Sequence, residues 1–229
     1  MYKICIDPGH GGTDPGAVNG AAREKDIVLD VGLKLKVLLE KAGHKVVMTR
    51  EHDFYAVPLA KAQVANAAEA DIFVSLHCNG HQQESANGTE VWFYTGSEDG
   101  EKLAKCLQEK LIARLGRRDR GIKHRKDLIV LNSTKMTAAL VEIAFITNND
   151  EKMLLTNAGY RSHIAQAIFE GIQKYLGVDG TNTEGSIKSQ AELKIEAVQK
   201  DYRFSDKTMK YLLDYEFGEE LIDRLFEKI

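Results

Sequence analysis

Apolar positions along the first 177 residues fall into two alternating rhythms. Short unbroken runs are rich in β-formers: "YKICI", "KVVMT", "DIFVSLH", "TEVWFYT", "DLIVL" and "AALVEIAF". Between them lie stretches of helical spacing. In "DIVLDVGLKLKVLLEKAGH" the apolar positions Ile27, Val31, Leu35, Leu38 and Leu39 share one face, and Gly43 stands where a helix would end. "PLAKAQVANAAEA" opens on Pro58 and reads as a second helix, Leu103 to Leu115 as a third. "YRSHIAQAIFEGIQKYLG" reads as a long closing helix ending at Gly177. Strand alternating with helix predicts an α/β fold with a central, mainly parallel sheet flanked by helices. Runs without strict alternation fit strands covered on both faces.

After Gly177 the pattern changes. Residues 178–186, "VDGTNTEGS", read as a polar linker. Residues 187–229 carry helical stripes at Ile187, Ala191, Ile195, Val198 and Tyr202, then at Met209, Leu212 and Leu213, then at Leu221, Leu225 and Ile229. The expectation is a catalytic-sized domain over 1–177 and a small all-helical C-terminal module. A segment so short forms only a marginal core alone, so it is expected to pack on the main domain or on a second copy.

Composition narrows the class. With 229 residues, 43% of them hydrophobic, the chain suits one good-sized domain, or one domain plus a small appendage. A net charge of −3 gives no global pull toward nucleic acid or anionic lipid. The tail holds 8 Lys and Arg against 12 Asp and Glu, a balance of −4, which leaves the first 177 residues at +1. Every apolar run stops well short of the roughly 18 residues that a membrane span needs. "MYKICID" enters a strand at once without a basic lead, so no signal peptide is expected. Cys5, Cys78 and Cys106 are odd in number and unpatterned, which points to reduced thiols and synthesis in the cytoplasm.

Chemistry gathers where an open parallel sheet binds ligands, beyond the carboxyl ends of its strands. The first strand runs into "DPGHGGTDPGA" and His10, the third into His77. Glu24, in "REKD", stands in the loop before the first helix, and Glu142 lies inside the apolar "AALVEIAF". Two imidazoles and a carboxylate suit a hydrolytic zinc site with one position left for water. A further carboxylate is then needed to move the proton. His10, Glu24 and His77 are read as metal ligands and Glu142 as the proton carrier. The glycines and prolines of the first loop turn the chain sharply and hold His10 stiffly.

Each residue has an ordinary alternative. His10 reads also as a turn residue, His77 as a rim histidine, Glu24 as part of a helix's first turn. Glu142 has the alternative of pairing with Lys or Arg, and Glu90 is a competing carboxylate on a strand. Cys78 suggests a thiolate ligand or nucleophile, but strand neighbours point to opposite faces, which favours burial. His44, His52, His81, His124 and His163 are expected on the surface. The basic stretch "RLGRRDRGIKHRK" fits either an anionic polymer or, more commonly, a solvated face.

The first loop, "REKD", "VVMTREHD", "ADIFVSLHCNG", "LNSTKMTAALVEIAFITNNDE" and the closing helix come in an order and spacing that resembles the zinc-dependent N-acetylmuramoyl-L-alanine amidases of the amidase-3 type, over residues 1–177. The resemblance implies one catalytic zinc per chain and hydrolysis of the amide between N-acetylmuramic acid and L-alanine in peptidoglycan. It places the ligands on His10, Glu24 and His77 and the catalytic glutamate on Glu142, with Asn79 helping to position substrate. The chain departs from the pattern at Cys78, at Ala144 in "EIAF", at Thr137 and at Lys61, positions that bear on rim shape and substrate preference. The appendage lies outside the resemblance. Without a signal peptide, the chain looks like an endolysin or a mother-cell autolysin that reaches the wall through a holin or by lysis. The helices of 187–229 are then expected to bind a cell-wall polymer or a second copy, with no nucleic-acid partner and no membrane insertion.

Overall fold

The computed structural model describes residues 1–178 and, beyond them, residues 198, 199, 202–205, 208, 222, 224 and 225. The chain divides into two compact units, Met1–Asp179 and Gly180–Ile229. Nearly all of the expected linker 178–186 and most of the expected helical module 187–229 lie outside the described residues. In the second unit Val198 and Ile222 are buried together with Phe204 and Leu225 against them.

The first unit runs β1 (Lys3–Pro8), β2 (Val18–Asn19), β3 (Ala22–Arg23), α1 (Glu24–Lys41), β4 (Lys45–Met48), α2 (Pro58–Ala67), β5 (Ile72–Asn79), β6 (Thr89–Tyr94), α3 (Glu98–Leu115), β7 (Asp119–Arg125), α4 (Ile129–Asn132), β8 (Thr137–Phe145), α5 (Asn149–Thr156) and α6 (Ala158–Tyr175). Six strands form one sheet in the order β4-β1-β5-β8-β6-β7. The four strands from β4 to β8 are mutually parallel. β6 runs antiparallel to β8, and β7 follows β6 in parallel, so the last two strands are reversed as a pair.

Side-chain alternation gives the sheet two unlike faces. One carries Ile4, Ile6, Ile72, Val74, Leu76, Val91, Phe93, Ala139, Val141 and Ile143, buried under Val31 and Leu35 of α1, Leu103 and Leu107 of α3 and Ile164 and Ile168 of α6. This is the main core. The opposite face has a smaller apolar cluster of Cys5, Phe73, Ala138 and Leu140, covered by Ala65 of α2 and by Val130 and Leu131 of α4. Short cover on that face leaves part of it open, and the polar chemistry lies there.

Helix ends follow local rules. The Ser97 and Asn157 side chains accept hydrogen bonds from the Gly100 and Tyr160 amides and so start α3 and α6. Gly116, at φ 60°, closes α3 in a left-handed turn.

Three expectations need correction. "DLIVL" does not form a strand; its last residues make the one-turn helix α4. The edge strand is β7, inside the basic stretch. An edge strand pairs on one side only, so charged side chains reach water there and also discourage pairing with another chain. Glu24 is not in a loop but is the first residue of α1. His44 is buried, with Nε2 2.9 Å from the Gln173 side chain, because α6 packs over its turn. His52, His81, His124 and His163 are exposed, as expected.

Candidate metal centre and active site

His10, Glu24 and His77 converge at the carboxyl ends of β1 and β5. Glu24 Oε1 lies 3.1 Å from His10 Nε2 and 2.9 Å from His77 Nδ1, and it also accepts the Cys78 amide at 2.9 Å. Glu24 Oε2 accepts the Ala17 amide at 2.8 Å, which fixes the carboxylate plane. The two imidazoles meet edge to face, 4.8 Å between centroids.

The loop sequence explains how these groups come so close. A Cβ on Gly9 would stand 2.4–2.8 Å from three atoms of the His77 ring, so only glycine lets the backbone pass there. Gly16 adopts φ 67°, and a Cβ there would meet Glu24 Oε2 at 2.5 Å and the His10 ring at 2.6 Å. His10 itself takes φ 57°, a backbone conformation that residues other than glycine rarely adopt.

Residues outside the ligand cluster hold that conformation. Asp14 Oδ2 sits 2.8 Å from His10 Nδ1. Arg50, almost fully buried, donates to the carbonyls of Pro8, Gly9 and Lys25. The Lys61 ammonium donates to the Pro8 and His10 carbonyls and pairs with Asp7 at 3.1 Å. Thr49 and Ser75 complete the Asp7 carboxylate at 2.6 and 2.7 Å. Burial alone would raise the Asp7 carboxyl, but the charge of Lys61 and these two hydroxyls outweigh it and hold it below the usual range. Sequence reasoning identified Lys61 only as a departure at the rim and missed Asp7, Asp14 and Arg50. The one available signal was a run of charged residues beside strand ends.

The donor set fits a divalent metal. The candidate ligand atoms all lie within 4.8 Å of one another. Zinc ligands at roughly 2.1 Å from the ion stand about 3.4 Å apart in a tetrahedron. Charge makes the stronger point. With Nδ1–H directed at Asp14, a neutral His10 turns its Nε2 lone pair toward Glu24 Oε1, and two acceptors then face each other at 3.1 Å. Only a cation between them, proton or metal, relieves that contact. Burial opposes charge on His10, yet Glu24 and Asp14 outweigh it and raise its pKa. Burial likewise opposes ionisation of Glu24, but hydrogen bonds and charge from the two histidines hold its carboxyl far below the ordinary value.

Strand register places the remaining carboxylates. Glu142 of β8 stands opposite His77 on one side and opposite Glu90 of β6 on the other. The three therefore form a row on the open face. Glu142 Oε2 is out of water and has no hydrogen-bond partner. Burial, then the negative charges of Glu24 and Glu90, push its carboxyl well above the usual range, only partly countered by Lys123. Glu90 contrasts with it. Though 3% exposed, it accepts Asn79 Nδ2 at 3.0 Å and Trp92 Nε1 at 3.2 Å on one oxygen, and Arg120 and Lys123 on the other at 2.6 and 2.5 Å. Burial would raise Glu90, but those two cations hold its carboxyl low. So Glu90 is a structural anion and Glu142 the carboxyl with a free oxygen.

A pocket of about 150 Å³ opens beside Glu142, with Asn79, Trp92 and Arg125 on its walls. Cys78 faces the other way, 3% exposed in the main core; burial, reinforced by the negative charges of Glu24, Glu142 and Glu151, pushes its thiol up, so it is neither ligand nor nucleophile. Among the described residues no helix is long and apolar enough to cross a membrane.

Comparison with known proteins identifies the family of this fold. The family model for N-acetylmuramoyl-L-alanine amidase (Amidase_3) matches residues 4–174. The chain is 37% identical over 174 residues to the amidase LytC of Bacillus subtilis, covering 75% of this chain and 35% of that protein. It is 37% identical over 182 residues to the endolysin of Bacillus phage SPP1, covering 76% of this chain and 66% of that protein. It thus spans about a third of the length of one relative and about two thirds of the other. Among solved structures, the catalytic domain of CwlV from Bacillus (Paenibacillus) polymyxa superposes with a TM-score of 0.74 at 31% identity, over 78% of this chain and 99% of that one.

Proposed function

The chain belongs to the N-acetylmuramoyl-L-alanine amidase family, and from that premise we propose that it hydrolyses the amide joining N-acetylmuramic acid to L-alanine in peptidoglycan, with zinc held by His10, Glu24 and His77. The observation that carries the zinc assignment over a proton is the convergence of three ligand atoms, one each from His10, Glu24 and His77, all within 4.8 Å of one another. When bound there, zinc supplies an electrophile that polarises the scissile carbonyl, lowers the pKa of water to about 7 and offsets the anionic field around Glu142.

The chain's own residues do the rest. Glu142 Oε2, unpartnered at the floor of the pocket, takes the proton from the attacking water and delivers it to the departing nitrogen of alanine. Its apolar neighbours Val141 and Ile143 are buried on the reverse face and hold the strand rigid beneath it. Asn79, anchored by Glu90, lines the same pocket and orients the substrate amide. Asp14 keeps the His10 ring in one tautomer, and Arg50 and Lys61 keep its backbone in place. The substrate sets the place of action at the cell wall, as for an endolysin or autolysin.

The test combines metal analysis of the purified chain with mass spectrometry of digested peptidoglycan. One zinc per chain is expected, together with free muramoyl ends and new N-terminal alanine. Glu142→Gln is expected to keep the zinc and lose about 10²-fold or more in turnover. Undiminished cleavage after thorough chelation would overturn the zinc assignment. A Glu142→Gln variant with full zinc and near-normal rate would overturn the proton-carrier role.

A further inference from the structure

We propose that Arg125, at the outer end of the pocket beside Glu142, binds a carboxylate of the leaving peptide, so that the enzyme favours stems whose second residue keeps that carboxylate free. The proposal rests on the amidase reading above and adds a specificity residue to it.

Direction comes from strand register. His77, Glu142 and Glu90 follow one another across β5, β8 and β6. The carbonyl side of the scissile bond lies at the metal cluster, and the nitrogen side lies at the group that protonates it. The peptide therefore continues past Glu142, away from His77, into the pocket walled by Leu140, Leu128 and Trp92. Across that pocket stands β7, where Lys123 is the partner of Trp92 and Arg125 the partner of Tyr94. Arg125 lies two strand spacings across from Glu142 and four residues along, since Glu90 is the partner of Glu142 and Tyr94 that of Arg125, so their backbones stand about 16 Å apart. Alanine and the residue after it reach about 7 Å when extended, and the Arg125 side chain, which turns back over Trp92 into the pocket lining, spans the rest. In a peptidoglycan stem that second residue is acidic and joined through its side-chain carboxyl, so its α-carboxyl is either free or amidated.

Among the described residues, Arg125 is the cation near the pocket that is placed to receive it. Arg120 and Lys123 are engaged by the buried Glu90. Glu90 also holds the Trp92 indole by its N–H, which makes the ring a fixed platform. The Arg125 guanidinium lies 5.6 Å and the Lys123 ammonium 5.2 Å from the centre of that ring. Arg125 meanwhile grips a carboxylate already. Its Nε and Nη2 meet the two oxygens of Asp127 at 2.6 and 2.5 Å, the two-point geometry that arginine offers to a carboxylate. Both partners of that pair are exposed, so it is weak and readily exchanged for a substrate carboxylate.

The experiment uses the full zinc-loaded chain and two substrates, N-acetylmuramoyl-L-alanyl-D-isoglutamate and its isoglutamine amide. The expected KM of the wild-type chain is about tenfold lower for the carboxylate compound. Arg125→Ala is expected to erase that difference by raising KM for the carboxylate compound alone, with kcat within about twofold; Arg125→Lys restores part of it. In parallel, calorimetry should show L-alanyl-D-isoglutamate binding the wild-type chain more tightly than its amide, and Arg125→Ala removing the preference. Equal KM values for both compounds in the wild-type chain, or an Arg125→Ala change that affects both alike, would overturn the proposal. Cleavage of neither compound would overturn the amidase reading instead, and the binding preference would then decide the subsite by itself.

Discussion

The two ends of the polar row across the open sheet face are built on opposite plans. At the His10 end, Asp7, Arg50 and Lys61 are each at most 4% exposed and fully paired among themselves and with loop carbonyls. At the Arg125 end, Arg125 pairs with the exposed Asp127 and lies over an indole, and the strand that carries it is the sheet's edge. Metal binding tolerates little displacement of its ligands, and the candidate ligands here are surrounded by buried, mutually dependent groups that would hold them in place. If the proposed peptide subsite lies here, exposed ion pairs suit it, because they exchange cheaply for a ligand that varies. Rigidity and adaptability are thus separated by three strands, β5, β8 and β6.

The comparison breaks most severely at Lys61. Replacing it with methionine keeps much of the volume and strands the buried Asp7 carboxylate without its cation. Loss of one partner of a buried pair costs about 3–5 kcal/mol, so the thermal midpoint is expected to fall by many degrees in calorimetry. The pH dependence carries the sign. Asp7 is held below its ordinary value in the folded chain, so its contribution is present above the unfolded carboxylate pKa and is lost as pH falls through the folded one. Without Lys61 the desolvation effect is no longer offset and the folded carboxyl rises. Acid unfolding followed by circular dichroism is then expected to begin at higher pH than in the wild type. An unshifted acid limb would show that Thr49 and Ser75 suffice.

A smaller effect is expected at Asp14. Asp14→Asn removes the anion that orients the His10 ring while leaving the ligands themselves. Zinc affinity is expected to fall about 10- to 100-fold, as for other groups that orient a ligand from behind, with the fold intact. Competition against a chromophoric chelator measures it, and unchanged affinity would remove Asp14 from the site. Smallest of all is Cys78→Ala. The bond to Glu24 comes from the backbone amide and survives the substitution, and the thiol packs in the opposite core. Turnover close to wild type is expected, along with no alkylation of Cys78 by iodoacetamide in the folded chain. A collapse of activity would mean that the thiol faces the site after all.

Periodicity alone determined most of the main layer. The buried runs around Ile4, Val74 and Val141 and the stripe from Ile27 to Leu39 could hardly fold otherwise, because a strand or helix with one apolar face has to bury it. The motifs at His10, Glu24, His77 and Glu142 were legible as well, since glycine loops and a carboxylate inside an apolar strand are costly without a purpose. Local pattern failed where neighbours in space decide the outcome. The apolar "DLIVL" turned into α4 because the open face at Phe73 and Leu140 needed a cover, while a charged segment took the edge position as β7. Likewise the pairing of Lys61 with Asp7, of Asp14 with His10, and of Glu90 with four donors depends on strand order and register. Charge spacing along the chain does not encode those. Burial and pairing are properties of distance in three dimensions, and they separated Glu90, a structural anion, from Glu142, whose Oε2 has no hydrogen-bond partner.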